Sequence, residues 1–144
     1  KLLANQLGRG FIDSDAYIVE KAGRSIPEIF AEQGEDGFRA LETAALAELG
    51  KMSGKVIATG GGCITRLENY RCLHQNGVMI WLKRSINELS TKGRPLSQSQ
   101  DLQKMYEIRK PLYETFANFT VKVGPTPDHT VASILEALSM EVTA

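Results

Sequence analysis

The sequence has few cysteines, no surplus of either charge and no long apolar run. Its only cysteines among 144 residues are Cys63 and Cys72. Two are too few for a disulfide framework, so we interpret both as reduced thiols and expect a cytoplasmic protein. Seventeen basic residues balance seventeen acidic ones, which argues against broad nucleic-acid binding because that function needs a basic surplus. No run approaches the ~18 apolar residues of a membrane span, and we expect neither a membrane partner nor a secretory signal.

The residues that are present predict one α/β domain over residues 1–144. Composition is typical of a globular protein, with 42% hydrophobic and 24% charged residues. Short apolar runs alternate with helical patterns, and they lack the period-two alternation of a half-exposed sheet. That combination predicts a parallel sheet covered by helices on both faces, a three-layer α/β/α arrangement. The predicted strands are residues 10–13, 55–59, 78–82 and 119–123.

Helical patterns fill the intervals between these strands. Gly8 and Gly34 are expected to end helices. Asp101 is expected to cap a helix, and Pro111 to disfavour helix at Lys110, so that a bend aims Arg109 inward. The predicted helices are residues 1–7, 25–33, 35–51, 67–75, 86–89, 101–113 and 131–140.

Two aspartates, Asp13 and Asp15, follow the first predicted strand. Ligand sites in open parallel sheets form beyond the carboxyl ends of the strands. On an extended turn the two carboxylates would point to different sides, one toward a metal–phosphate group and the other toward a substrate hydroxyl. The alternative is an ordinary turn with a helix cap.

Three consecutive glycines, Gly60, Gly61 and Gly62, follow the second predicted strand. Without side chains, their backbone can approach a ligand closely, and amides ahead of a helix can bind an anion or an oxygen atom. The alternative is a flexible turn.

Arg39 and Glu42 are three residues apart on one predicted helix and are therefore neighbours. The carboxylate could hold the guanidinium flat for bidentate binding of another carboxylate. The alternative is a solvated surface pair of little energetic consequence. Because Phe38 and Leu41 bury the adjoining face, we expect Arg39 at the rim of the core.

Two further arginines lie in segments that suit anion binding. Arg94 belongs to a polar stretch, where a loop arginine can meet developing charge after closure, although an exposed loop arginine is the simpler interpretation. Arg109 precedes the Lys110-Pro111 pair.

These motifs, in this order, resemble the shikimate kinase family over essentially the whole chain. The family has a P-loop kinase-like fold, so the resemblance implies that architecture here. The segments that carry it are Phe11–Asp15, Gly23–Ile26, Ile29-Phe30, Gly34-Glu35, Phe38-Arg39, Glu42, Ala58–Gly62, Arg94–Leu96 and Arg109–Tyr113.

The resemblance also implies a role for each candidate residue. A substrate-binding region would cover about residues 15–42, and a lid about residues 90–100. On the acceptor side, Asp15 would contact and orient or deprotonate the reacting hydroxyl. The shikimate carboxylate would bind to Arg39 and Arg109, and its ring would lie against Gly60, Gly61 and Gly62. On the nucleotide side, the implied residues are Asp13 for the Mg²⁺ shell through water, Arg94 for the transferring phosphate and Pro127 for the adenine.

One family motif, the phosphate-cradling G-x-x-x-x-G-K-[ST], does not occur in the 144 residues. The only Gly-Lys pairs, Gly50-Lys51 and Gly54-Lys55, lack its other residues. In the family this loop follows a central first strand, so the strand would be missing too. A strand and loop of roughly 15–20 residues would restore a typical family length, so we expect the natural protein to be longer.

The leading hypothesis is a shikimate kinase of chorismate biosynthesis, transferring the γ-phosphate of ATP to the 3-hydroxyl of shikimate with Mg²⁺. One alternative is a kinase for another small polyol acid, such as gluconate. Another is a relative that binds shikimate without catalysis. We expect a monomer, or else one domain of a fused shikimate-pathway protein.

Overall fold

The computed structural model describes residues 1–84 and 96–143, with two compact units, Lys1–Val78 and Met79–Ala144. Each unit contains one pair of parallel strands together with helices. In the described part of the chain, no helix is long and apolar enough to cross a membrane. The prediction of a single domain over residues 1–144 stays a prediction.

The first unit alternates helices with two strands. Strands β1 and β2 pair in parallel, in a register that runs from Gly10 opposite Lys55 to Asp13 opposite Ala58. The carboxyl ends of both strands therefore lie side by side. The elements are α1 (Leu2–Leu7), β1 (Gly10–Asp13), α2 (Ser14–Ala22), α3 (Ile26–Leu49), β2 (Lys55–Ala58), a 3-10 helix (Gly61–Thr65) and α4 (Glu68–His74).

The predicted helix boundaries at glycine are confirmed. Helix α1 ends at Gly8, which has a left-handed φ of 66°. Gly34 has φ 72° and ψ −175° and divides α3 at a kink, where the sequence predicted two helices. This backbone conformation is open to glycine and strained for other residues. The Ser25 side chain accepts from the Glu28 N–H and so caps the first turn of α3.

The extended turn expected at Asp13 and Asp15 is wrong, because helix α2 begins there. Asp13 is the N-cap, and its Oδ1 accepts from the Asp15 N–H at 2.9 Å and the Ala16 N–H at 3.2 Å. These bonds satisfy amides that would otherwise lack partners at a helix start. Ile18, 2% exposed, packs the helix into the core. The alternative interpretation, a helix cap, describes Asp13 correctly.

The core of the first unit joins α2 to α3. Its buried cluster consists of Ile18 from α2 and Ile29, Phe38 and Ala45 from α3. At the surface, the Tyr17 hydroxyl donates to the Glu48 carboxylate across the same two helices. This packing fixes Asp15, in the first turn of α2, relative to the middle of α3.

The second unit contains β3 (Ile80–Lys83), α5 (Leu96–Phe116), β4 (Phe119–Lys122) and α6 (Pro127–Thr143). Strands β3 and β4 are parallel, in a register that begins with Ile80 opposite Phe119. Before the strands, the Met79 N–H donates to Asn118 Oδ1 and the Asn118 N–H donates to the Met79 carbonyl, both at 2.8 Å. The unit therefore has the parallel pairing that the sequence predicted.

Two predictions about the fifth helix are wrong. Asp101 does not cap it, because α5 begins five residues earlier at Leu96, and Pro111 lies inside the helix without ending it. Packing of residues that follow the proline in sequence explains why the helix tolerates it. Phe116 is 1% exposed, and Tyr113 stacks on Trp81 with ring centroids 5.2 Å apart.

Other boundaries differ by a few residues or lie outside the described residues. Helix α6 begins at Pro127, earlier than the predicted residue 131. Proline is favoured at a helix start, and the His129 N–H donates to Thr126 Oγ1 there. The helix predicted at 86–89 lies outside the described residues.

Candidate active site

The candidate residues of the first unit meet at the carboxyl ends of β1 and β2. Asp13 and Asp15 follow β1, and the glycine turn, which we define as residues 60–63, follows β2. The parallel register places the last residues of the two strands, Asp13 and Ala58, opposite each other. These residues therefore lie where the sequence predicted the site, beyond the carboxyl ends of the parallel strands.

Gly60 lies against two carboxylates. A Cβ atom built on Gly60 would lie 3.2 Å from Asp15 Oδ1 and 3.4 Å from Glu42 Oε2. Even a methyl group would be tight there, so the backbone closely approaches both acids. Asp15 Oδ1 is buried and has no hydrogen-bond partner among the described residues. This oxygen therefore has an unused capacity to accept a hydrogen bond.

The environment of Asp15 favours its protonated form. Burial is the main cause of its raised pKa, and the nearby charge of Asp13 raises the pKa further, while the Arg39 guanidinium lowers it. A carboxyl group with a raised pKa is a stronger proton acceptor once ionised than an ordinary aspartate. Asp15 can therefore accept a hydrogen bond or a proton from a substrate hydroxyl.

The guanidinium of Arg39 lies against Gly62. A Cβ atom on Gly62 would be only 2.5 Å from Arg39 Cζ, so a side chain at this position would displace the arginine. Arg39 is 12% exposed at its side chain, and its Cζ lies 5.3 Å from the centre of the Phe38 ring. The prediction that Arg39 lies at the rim of the core is confirmed.

Glu42 holds Arg39 from inside the core. Arg39 Nη1 donates to Glu42 Oε1 at 2.9 Å, and the Glu42 side chain is 1% exposed. The solvated surface pair, offered as the alternative from the sequence, is wrong because neither partner is solvated. A second carboxylate, Glu35, lies 3.7 Å from Arg39 Nε but is 67% exposed. The guanidinium thus has one buried and one exposed acidic neighbour.

Asp13, the residue predicted for the metal shell, is committed to helix α2 through one oxygen. Its Oδ1 caps the helix, and the side chain is otherwise exposed at the end of β1. Among the described residues no group of three or more His, Cys, Asp or Glu side chains could hold a metal ion directly. This donor set fits a contact with a metal through its water shell, since Mg²⁺ keeps several waters.

Two residues that hold the glycine turn were not singled out in the sequence. Thr65 Oγ1 donates to the Gly62 carbonyl at 2.7 Å, and Asn69 Nδ2 donates to the Cys63 carbonyl at 2.8 Å. Asn69 is fully buried. A buried asparagine has no periodic signal, so the only sequence clue is its position shortly after the glycines.

Cys63 continues the glycine turn into the core. Its side chain is 2% exposed, and its Sγ donates weakly to Thr59 Oγ1 at 3.5 Å. Burial is the main cause that raises the pKa of this thiol. A buried, protonated thiol is a poor nucleophile. The interpretation of Cys63 as a reduced thiol fits this environment.

The remaining candidates belong to the second unit or lie outside the described residues. Arg109 is half-buried in α5, and Pro127 is the exposed first residue of α6. A groove of ≈ 530 Å³ lies along β4 and α6, lined by Gly124, Pro125 and His129 among others, but not by Pro127. Arg94 lies outside the described residues. The roles of Arg94, Arg109 and Pro127 stay predictions.

Comparison with known proteins identifies a family. The model of the shikimate kinase family matches residues 1–139. The chain is 40% identical to a shikimate kinase of Psychrobacter sp. (strain PRwf-1), over 96% of this chain and 82% of that protein. It is 37% identical to a shikimate kinase of Burkholderia lata, over 97% and 82%.

Solved structures that match this chain belong to the same family. A shikimate kinase from Acinetobacter baumannii in complex with shikimate matches with a TM-score of 0.88 and 35% identity, over 96% of this chain and 83% of that one. A shikimate kinase from Aquifex aeolicus matches with a TM-score of 0.85 and 29% identity, over 98% and 88%. The predicted P-loop kinase-like α/β fold is confirmed.

Proposed function

The chain belongs to the shikimate kinase family, and on that premise we propose that it transfers the γ-phosphate of ATP to the 3-hydroxyl of shikimate. Members of this family are ATP-dependent kinases of aromatic amino-acid biosynthesis. One observation carries the proposal for this chain: the Asp15 carboxylate and the Arg39 guanidinium both face the glycine turn. A polyhydroxylated carboxylic acid needs both groups, one for its hydroxyl and one for its carboxylate.

Arg39 binds the substrate carboxylate in this proposal. The buried contact with Glu42 fixes the plane of the guanidinium, and a fixed guanidinium can offer two parallel N–H donors to an incoming carboxylate. Arg109 would supply the second arginine of the clamp. Gly60, Gly61 and Gly62 would form the wall against which the ring lies.

Asp15 acts on the hydroxyl that is phosphorylated. In this proposal the half-buried Asp15 carboxylate, which has an oxygen without a hydrogen-bond partner among the described residues, accepts the hydroxyl hydrogen and orients the hydroxyl oxygen toward the phosphate. The proton passes to this carboxylate as the new O–P bond forms and the bond between the γ-phosphorus and the bridging oxygen breaks, with ADP as the leaving group. Phosphoryl transfer depends mainly on positioning and on neutralising charge, so the contribution of Asp15 is chiefly orientation and the final acceptance of the proton.

The nucleotide side of the reaction rests on predictions from the sequence. Asp13 would hold the water shell of Mg²⁺, and the bound ion would neutralise phosphate charge. Arg94, in the predicted lid at about residues 90–100, would stabilise the transferring phosphate. Pro127 would lie near the adenine. The monomeric state and the cytoplasmic location also stay predictions.

An assay of ADP release by the purified, full-length protein tests the proposal. With ATP and Mg²⁺ present, we expect shikimate-dependent turnover and no turnover with gluconate at the same concentration. Turnover with gluconate but not with shikimate would mean that the substrate is another polyol acid. If calorimetry detects shikimate binding but the assay detects no ADP release, the protein is a binding module and not a kinase.

A further inference from the structure

Three carbonyl groups of the glycine turn are held by donors that come later in the chain. The Gly60 carbonyl accepts from the Cys63 N–H at 3.3 Å. Side chains outside the turn hold the next two: Thr65 Oγ1 for Gly62 and Asn69 Nδ2 for Cys63. Side chains outside the turn therefore help to fix the path of its backbone.

The Asn69 bond explains why an amide is buried at that position. Asn69 is 0% exposed, and its Oδ1 has no hydrogen-bond partner among the described residues. A buried polar atom without a partner is unfavourable, so an apolar residue of similar shape would suit packing alone better. What the amide adds is its single donated bond to the Cys63 carbonyl.

The glycine turn has little freedom to move without disturbing the site. Gly62 is packed on the Arg39 guanidinium, and Gly60 is packed on the carboxylates of Asp15 and Glu42. A small displacement of the turn would therefore either press on these groups or open a gap beside them. Its position sets the width of the space in which a substrate ring can lie between Asp15 and Arg39.

We propose that Asn69 and Thr65 are positioning residues for the acceptor substrate. They act through the backbone of the glycine turn and do not touch the substrate themselves. The inference rests on the proposed function, since it concerns the affinity of the same site for shikimate. Its specific consequence is that loss of either bond weakens shikimate binding while leaving nucleotide binding unchanged.

Variants that keep side-chain shape and remove the donor test this inference in the full-length protein. Thr65→Val and Asn69→Leu should each raise the KM and the calorimetric Kd for shikimate by about three- to tenfold, as expected for one lost hydrogen bond. The KM for ATP should stay within twofold of the unaltered protein. Thr65→Ser retains the hydroxyl and should restore the shikimate constants.

Matched controls separate positioning from general destabilisation. Thr115→Val removes a similar bond, from Thr115 Oγ1 to the Pro111 carbonyl at 2.9 Å, and Asn76→Leu removes an exposed amide bond to the Met52 carbonyl at 3.1 Å. Neither residue contacts the glycine turn through these bonds, so both variants should leave the shikimate constants unchanged.

The outcomes are distinguishable. Equal increases in the constants for shikimate and ATP, or unchanged constants in Thr65→Val, would overturn the positioning role. If Asn69→Leu does not fold, the constants of Thr65→Val alone test the positioning role. If the unaltered protein neither binds nor phosphorylates shikimate, the proposed function itself fails, and the positioning role for shikimate fails with it.

Discussion

Substitution of Asp15 should change activity and stability in opposite directions. Asp15→Asn keeps the shape of the side chain but cannot accept a proton. We expect turnover to fall by about 10²- to 10⁴-fold, the usual contribution of a positioned acid or base. ATP binding, measured by calorimetry, should change little. Turnover within tenfold of the unaltered protein would contradict a catalytic role for this carboxylate.

The raised pKa of Asp15 gives both effects a defined pH dependence. Activity needs the ionised carboxylate, so turnover should fall with decreasing pH at a higher pH than for an ordinary aspartate, whose pKa is 3.8. For stability the sign is opposite: the contribution of this group is fully present below pH 3.8 and is lost as the pH rises through the raised pKa. Asp15→Asn should therefore raise the unfolding midpoint at pH 7, and the difference should shrink in acid.

Arg39 forms a buried ion pair with Glu42 and an exposed one with Glu35, so the two kinds of ion pair can be compared on one guanidinium. Glu42→Gln should lower the free energy of unfolding by about 1–3 kcal/mol, because the Arg39 guanidinium keeps a neutral acceptor but loses the negative charge of its buried partner. Glu35→Gln, at 67% exposure and 3.7 Å, should cost less than ~0.5 kcal/mol.

Urea unfolding of both variants measures this difference. Equal effects would mean that the buried contact of Glu42 adds nothing beyond the exposed one. Glu42→Gln should also weaken shikimate binding, because the neutral amide holds the guanidinium less firmly. Glu35→Gln should leave that affinity unchanged.

At the scale of elements, the sequence predicted strands and glycine boundaries better than helix starts. A buried parallel strand shows as a short apolar run, and a left-handed glycine shows as a helix end, as at Gly8 and Gly34. Helix α2 was missed because the Asp13-Ser14-Asp15 pattern fits a turn and a cap equally well. Only the packing of Ile18 against α3 decides between them.

Helix α5 illustrates the opposite case, in which a strong local signal fails. Proline removes one backbone donor and disfavours helix at the preceding residue, yet α5 continues through Pro111 to Phe116. The buried Phe116 and the stacked Tyr113 lie beyond the proline in sequence. Their burial is a tertiary contribution that no local pattern contains.

At the scale of the whole molecule, the residues predicted to bind the acceptor substrate could be located further from the sequence than those predicted to bind the nucleotide. Asp15, Arg39 and the three glycines are brought together within the first unit, as the order of motifs implied. The supporting residues Thr65 and Asn69 could not be predicted, because their role depends on where a backbone carbonyl points. A fold determines such directions, and residue spacing does not.

Ligand binding should stabilise the whole protein by an amount that grows with the logarithm of the ligand concentration relative to the Kd. At a shikimate concentration of one hundred times the Kd, the free energy of unfolding should rise by about 2.7 kcal/mol. For a chain of this size that corresponds to a rise in midpoint of roughly 5–10 °C. Thermal unfolding followed by circular dichroism measures the shift, with gluconate at the same concentration as the control ligand.

The shift should depend on the guanidinium that faces the glycine turn. Arg39→Ala should abolish most of the shikimate-induced rise, because the substrate carboxylate loses its buried partner. Lys21→Ala is the control: Lys21 is an exposed cation whose ion pair with Glu48, at 3.8 Å, lies on the α2–α3 surface. It should leave the rise intact. An equal rise with gluconate would mean that the site recognises a carboxylate without recognising the ring, and an undiminished rise in Arg39→Ala would place the carboxylate elsewhere.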